Sequence, residues 1–413
     1  MLKIAMLSTG EEVLHGDIVD TNAAWLSQRF FENGYSVTKR STVGDELVAL
    51  TEELLMLSFN SDIVVVNGGL GPTTDDLSAQ AAASAAEQEL TLFTQWLERL
   101  EQFFSARGVP MPESNRKQAM LPQGAVMLDN PIGTACGFKV VFNDCHFYFT
   151  PGVPSEFKLM VEQQVIPDMK ACFPQVLGLD CSKLYTFGTS ESALSDKLDK
   201  VQLPAGYTLG YRSYLPYIEV KLFGPKDDLD TRVKLLQIIF NLIEEHVVSV
   251  DESMKDHVAY LIQEKKMSIS TAEQSTFGGL SQWLQSHSSA AEYCGHGWVL
   301  GERVSVGEQT DDKLASAFAL AGATRDKCAT DIAMVTGKAI DNSFSVTLAA
   351  PEGEWGQVLA FSRQYSREEQ ALVITTVAAD MLRRYLSGKT MFVRYSALAR
   401  EKEMFVPRSA IGA

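Results

Sequence analysis

Residues 3–8 form a short apolar run, and residues 62–67 enclose Ile63-Val64-Val65-Val66 between polar positions. Short β-branched runs bounded by polar residues predict buried strands. Between them, residues 22–32 predict a helix that includes Leu26, Phe30 and Phe31, and residues 35–40 predict a second strand. Residues 46–58 carry Leu47, Leu50, Leu54 and Leu57, spaced as one helix face. Residues 77–87 are Ala-rich and predict a third helix. A βαβαβα series predicts a doubly wound, mostly parallel sheet in an α/β domain. Ligands of such sheets sit beyond the carboxyl ends of the strands.

The segment 121–160 reads as loop-rich, with one strand at 146–150 and a helix starting near Ser155. A small α+β module follows over roughly 180–250. Its strands are predicted at 184–187 and 217–223, and its helices at 191–198 and 228–245. Residues 251–256 read as a linker. A third unit shows strand signals at 267–270, 331–335, 343–350 and 358–361, then a helix over 367–386. The expected domains are therefore 1–170, 171–250 and 251–390, with 391–413 a tail of mixed charge and few packing signals.

Composition supports this layout. The 413 residues suit about three domains of roughly 150 residues each. A hydrophobic share of 46% excludes disorder over most of the chain. The net charge of −16 argues against a broad nucleic-acid-binding surface, which needs clustered Lys and Arg. It leaves room for a small anion held by backbone amides and a metal. No apolar run reaches the ~20 residues of a membrane span. The acidic Glu11-Glu12 follows too soon for a secretory signal. The six cysteines include no C-x-x-C pair, and the six histidines show no metal-ligand spacing. These features predict a cytoplasmic protein with reduced thiols and no membrane partner.

Four clusters are predicted to converge at the carboxyl edge of the first sheet. They are Thr9-Gly10-Glu11-Glu12 with Asp20-Thr21-Asn22, then Gly44-Asp45, then Asn67-Gly68-Gly69-Leu70-Gly71-Pro72-Thr73-Thr74-Asp75-Asp76, and lastly Gly152-Val153-Pro154-Ser155-Glu156. Glycine lets backbone N–H groups approach an anion. Thr73 and Thr74 would add hydroxyl donors at a helix N-terminus. Asp45, Asp75 and Asp76 could hold a hard divalent cation, and the set suits metal-assisted phosphoryl chemistry. Plainer roles stand beside these: Asp45 and Asp76 as helix N-caps, Asp20 and Asn22 as pins of the first helix, and Glu156 as an acid favouring a helix dipole.

These clusters, with Asn130-Pro131-Ile132-Gly133-Thr134 and Gly210-Tyr211-Arg212-Ser213, resemble the CinA-like family. The resemblance implies a first domain like the molybdopterin-binding fold of MogA and MoaB, a KH-like middle module and a deamidase-like third domain. It implies a metal-dependent ADP-ribose pyrophosphatase that yields AMP and ribose 5-phosphate, acting as a homodimer. Asp45 and Asp76 match the family's key acids and are the expected metal ligands. Asp75, Glu156 and Glu12 complete the expected catalytic set. Thr9, Gly10, Asp20, Asn22, Gly68, Gly69, Gly71, Pro72, Thr73, Thr74, Asn130, Gly133, Thr134, Gly152 and Pro154 are the expected substrate contacts.

The middle module lacks a basic G-x-x-G loop, since Phe187-Gly188-Thr189-Ser190-Glu191 has one glycine and an acid. Spacing is its expected role, with Arg212 and Tyr214 as candidates to reach a neighbouring site. In the third domain the family's nucleophile pattern Ala-Glu-Ser-Cys-Thr-Gly-Gly meets Ala272-Glu273-Gln274-Ser275-Thr276-Phe277-Gly278-Gly279, one residue longer. The nucleophile position is Gln274 or Ser275, depending on the end counted from. The family's tyrosine and lysine positions are Gly301 and Val306, with Lys338 or Arg303 as substitutes in space. A serine needs a base or cation to be a nucleophile, so an inactive deamidase fold is expected. Two other readings stay open: nicotinamide-mononucleotide deamidation by a rebuilt third-domain site, and non-enzymatic pterin or nucleotide binding. Ser275 could also simply cap a helix.

Overall fold

Every residue of strand β1 (Ile4–Thr9) and strand β3 (Ile63–Asn67) is buried, as expected for strands covered by helices on both faces. The computed structural model describes residues 2–174, 178–301 and 312–410. The chain divides into two units, Met1–Asp180 and Cys181–Ala413. The expected boundary near residue 250 therefore falls inside the second unit.

In the first unit, β1 leads through α1 (Glu11–Leu14) and α2 (Thr21–Glu32) to β2 (Val37–Val43), and α3 (Leu47–Asn60) leads to β3. Then follow α4 (Ser78–Ala85), β4 (Leu90–Leu92), α5 (Thr94–Ser105), β5 (Met120–Pro122), β6 (Val126–Leu128), β7 (Gly137–Phe142), β8 (Cys145–Thr150), α6 (Pro154–Met160) and α7 (Ile166–Cys172). The sheet order is β2-β1-β3-β8-β7-β6. β2, β1, β3 and β8 run parallel, with Ser8 beside Asn67 and Asn67 beside Thr150. β7 and β6 are antiparallel additions. One face packs on α3, α4 and α5 through Leu50, Leu54, Ala81 and Trp96. The other packs on α2, α6 and α7 through Leu26, Phe30, Phe157 and Met169.

Two sequence readings change here. β2 begins at Val37 rather than at residue 35, because the Tyr35 N–H bonds the Phe30 carbonyl (2.9 Å) and belongs to the C-terminal turn of α2. The stretch 121–160 holds β5, β6 and β7 besides β8. β7 and β8 form a tight hairpin over Asn143-Asp144, both at positive φ (50° and 60°), the conformation that a two-residue primed turn needs.

The second unit opens with β9 (Leu179–Phe187), α8 (Glu191–Leu198), β10 (Thr208–Tyr214), β11 (Tyr217–Pro225), α9 (Leu229–Ile243) and β12 (Val247–Val250), in sheet order β10-β11-β9-β12. It continues with α10 (Met254–Lys265), β13 (Ile269–Glu273), α11 (Gly279–Gln285), α12 (Ser288–Ala291), β14 (Cys294–Val299), α13 (Lys313–Cys328), β15 (Ile332–Thr336), β16 (Ser343–Ala350), β17 (Gly353–Phe361), α14 (Arg367–Leu386) and β18 (Leu398–Pro407). This sheet runs β14-β13-β15-β16-β17-β18. The first three strands are parallel and the rest antiparallel. The expected tail is thus partly a sheet strand: β18 pairs with β17 from Leu398 beside Phe361 to Pro407 beside Gly353. Half of the expected linker is helix, since Ser253 and Asp256 form a reciprocal capping box at the start of α10.

One buried ionic cluster fastens the two sheets of this unit. Asp380, on α14, is 1% exposed and accepts from Arg383 Nη2 (2.7 Å), Arg384 Nε (2.8 Å) and Tyr395 Oη (3.0 Å). Arg384 also donates to the Glu245 carbonyl (2.6 Å), just before β12. Burial pushes the Asp380 carboxyl up, but the two guanidinium groups outweigh it and hold it below the usual carboxylate range. Removing one member strands buried charge. Asp380→Ala is therefore expected to cost about 3–5 kcal/mol in the second unit's urea unfolding transition.

Candidate functional site

The four parallel strands of the first unit end at one edge, and a cavity of about 510 Å³ opens there. The loop after β1 brings Thr9, Gly10, Glu12, Asp20 and Asn22 to its wall. The loop after β2 brings Asp45, and the loop after β3 brings Gly68, Gly69, Gly71, Pro72, Asp75 and Asp76. The loop after β8 adds Gly152, Pro154 and Glu156, and Thr134 enters from beyond β6. Thr73, Thr74, Asn130 and Gly133 are not among the lining residues.

Local bonding fixes these loops. Asp20 caps α2, accepting from the Ala23 N–H (2.9 Å), and its other oxygen takes the Ser8 hydroxyl (2.6 Å). Buried Asn22 donates to the Gly152 carbonyl (2.8 Å) and to Asn67 Oδ1 (3.1 Å), so one amide spans two loops. Its own Oδ1 is buried without a partner, an acceptor left open beside the cavity. Gly68 adopts φ 108° against Thr9, where a Cβ would stand 2.7 Å from Thr9 Oγ1; only glycine fits. Ser78 Oγ then holds the Gly68 carbonyl (2.8 Å).

Several expected roles change in the folded chain. Asp45 is not a helix cap: Glu46 occupies that position of α3 and makes no capping bond. The Asp45 carboxylate instead accepts from the Glu11 N–H (3.2 Å), while the Asp45 N–H donates to Glu11 Oε1 (3.2 Å). Asp76 does not cap α4, whose cap position is Leu77. It accepts from the Thr73 N–H (2.9 Å) and hydroxyl, closing its own loop. Thr73 and Thr74 precede α4 rather than forming its first turn. Asn130 is fully buried and structural, donating to the Ala135 carbonyl (2.9 Å) and to Glu156 Oε2 (2.7 Å) and accepting from the Gly133 N–H (3.1 Å). Asn67, which opens the third cluster, lines the cavity, and so does Gln118, which the sequence reading did not name. Asn67 carried a signal as the polar end of an apolar strand, whereas Gln118, before β5, carried none.

The electrostatics are one-sided. Burial raises the Asp45 carboxyl above its ordinary range, the Glu11 backbone bond opposes this, and the carboxylates of Glu12, Asp75 and Glu11 add to the rise. The Asp75 carboxyl is held below the ordinary range, first by the Thr73 hydroxyl. Crowded carboxylates of this kind suit a cation. Among the described residues, however, Asp45 and Asp76 join no trio of His, Cys or acidic ligand atoms within 4.8 Å of one another. A cation such as Mg²⁺, which takes one or two carboxylates and completes its shell with water and phosphate oxygen, would need no more than these two acids. The one such trio, His146, Asp168 and Cys172, includes Asp168, which pairs with the Lys139 ammonium (2.5 Å).

In the second unit, Glu273 at the end of β13 is fully buried and accepts from the Leu280 N–H (2.9 Å), the Ser281 N–H (2.7 Å) and the Thr276 hydroxyl (2.6 Å). It anchors the start of α11. Ser275 caps nothing: Gly278 holds the cap position, and the buried Ser275 Oγ has no hydrogen-bond partner. Lys338 is exposed. Arg303 and Val306 lie outside the described residues.

Comparison with known proteins agrees with this architecture. A family profile described as "Probable molybdopterin binding domain" matches residues 5–171, and the first unit has the MogA/MoaB-like α/β fold. A "CinA-like protein" of Escherichia coli O17:K52:H18 (strain UMN026 / ExPEC) is 41% identical over 391 residues, covering 94% of this chain and 95% of that relative. The "NMN amidohydrolase-like protein YfaY" of Escherichia coli (strain K12) matches at the same 41% identity and coverage. A solved structure, "the protein CinA with unknown function from Thermoplasma acidophilum", shares 27% identity and a TM-score of 0.37, over 41% of this chain and 96% of that one. With identity of this level sustained along nearly the whole length of both chains, the protein belongs to the CinA-like family.

Proposed function

We propose that the first unit is a divalent-cation-dependent hydrolase of the diphosphate bond of ADP-ribose, releasing AMP and ribose 5-phosphate. The observation that carries this is the convergence of Glu12, Asp20, Asp45, Asp75, Asp76 and Glu156 on one glycine-lined cavity. When bound, the cation supplies charge neutralisation of the diphosphate. Asp45 and Asp76 would hold it, and Asp76 must first leave the Thr73 hydroxyl. Backbone N–H groups of the loop after β3 would take up charge developing on phosphate oxygen. The open Asn22 acceptor suits a sugar hydroxyl. Glu156 is already engaged by Asn130 (2.7 Å), whereas Glu12 lies at the wall close enough to raise the Asp45 carboxyl. Glu12 is therefore assigned as acceptor of the proton from the attacking water.

A second reading is favoured by a different finding. The relative named "NMN amidohydrolase-like protein YfaY" speaks for the amide bond of nicotinamide mononucleotide. That activity would belong to the second unit, on the edge that carries Glu273 and Ser275. The two readings differ in product. AMP release from ADP-ribose that needs Mg²⁺ or Mn²⁺ and falls about a hundredfold or more in Asp45→Ala and Asp76→Ala supports the first. Ammonia release from nicotinamide mononucleotide, lost in Ser275→Ala and untouched by Asp45→Ala, would replace it with the second.

The raised Asp45 carboxyl gives a pH signature. It stays protonated to higher pH than an ordinary aspartate, so cation affinity through it falls as pH drops through that raised value. Glu12→Gln removes one repelling charge, which lowers the Asp45 pKa and moves the acid limb of cation binding to lower pH. Mn²⁺ titrations across the acid range read this shift; a limb moving to higher pH refutes the coupling.

A further inference from the structure

The second unit contains a cleft that the activities above do not use. Two adjoining hollows, of about 680 and 600 Å³, share Gly188, Thr189, Tyr395, Ser396 and Leu398. One side comes from the turn after β9 and the β10–β11 hairpin, the other from the segments flanking α14. Its floor is tied, because the Ser396 N–H donates to the Gly188 carbonyl (2.8 Å). Gly188, at φ 74°, lies flush against the Tyr395 ring, where any Cβ would collide. Tyr395 is itself locked from behind by Asp380.

The wall is aromatic. Phe187 and Tyr395 pack with centroids 5.2 Å apart, and Tyr214 and Tyr217 meet edge to face at 5.9 Å. Tyr365 lies edge-on to Phe361 at 5.4 Å. Tyr214, a residue the sequence marked as reaching for a site, is 37% exposed and lines this cleft. The charge on the wall runs against that of the whole chain. In a protein of net charge −16, the lining holds Arg363, Arg394 and Arg400, the last paired with Glu403, against a single lining carboxylate, Glu191. Glu191 is taken up by the Ser213 hydroxyl (2.6 Å). Arg363 stacks on the Tyr365 ring at 4.6 Å, and among the described residues neither it nor Arg394 makes an ion pair. An unpaired guanidinium on a tyrosine ring, with a second unpaired arginine in the adjoining hollow, makes a site for a planar ring that carries an anion.

We infer that this cleft binds a free nucleoside monophosphate, its base against the tyrosine faces and its phosphate on Arg363 and Arg394. An extended nucleic acid is the poorer fit, because the acidic chain offers it no continuing basic track. The site is separate from the first-unit cavity and needs no metal.

The test is calorimetric titration of the full chain with AMP in EDTA, with adenosine as the uncharged comparison. AMP is expected to saturate, and adenosine to bind at least about tenfold more weakly. Arg363→Ala/Arg394→Ala should weaken AMP by at least about tenfold and leave adenosine unchanged. Tyr365→Leu, which keeps the charges, should weaken both ligands. Unchanged AMP binding in the arginine and tyrosine variants overturns the proposal, as does absence of saturable AMP binding by the parent at millimolar concentration. If the arginine variant loses its circular dichroism spectrum, the AMP–adenosine difference and Tyr365→Leu still decide.

Discussion

A strand buried on both faces cannot leave its backbone to water, so β1 and β3 must each be paired along their whole length on both sides. The first unit meets this demand with parallel neighbours, β2 beside β1 and β8 beside β3. Parallel pairing sends every strand's carboxyl end the same way, and the connecting helices return the chain across the faces. The loops that carry Asp20, Asp45, Asp76 and Glu156 are brought together by that demand rather than by attraction among themselves. Indeed burial first, and then the neighbouring carboxylates of Glu12, Asp75 and Glu11, raise the Asp45 carboxyl, so the arrangement disfavours its charged form. The strand pairing must hold this unfavourable arrangement in place.

The sequence was most readable where the physics is local. Apolar runs located β1, β3 and β8, and leucine spacing located α3, because burial alone dictates those patterns. The loops of the cavity were readable too, since glycine and carboxylate after successive strands have few structural duties in common. What stayed hidden depends on partners distant in the chain. That Asn130 is a buried bracket for Glu156 across the fold cannot be seen in either segment. Asp76 looked like a helix cap because its neighbours suit one, but its carboxylate turned back on Thr73. β18 is largely exposed and charged, so no apolar pattern announced it; pairing with β17 makes it a strand.

Charge is distributed unevenly between the two units' sites. The first-unit cavity concentrates carboxylates, while the second-unit cleft gathers arginines within an acidic chain. The cleft also shares Tyr395 with the buried Asp380 cluster, so its shape and the fastening of the two sheets in that unit depend on the same side chains.

Glu273 reaches over the loop that follows it and grips α11 directly. The helix is thereby located by the strand, with Thr276 tied into the same network through Glu273 and Thr336. The extra residue relative to the family's nucleophile pattern sits in that loop. Anchorage at this edge rests on Glu273, while the buried Ser275 hydroxyl beside it has no hydrogen-bond partner.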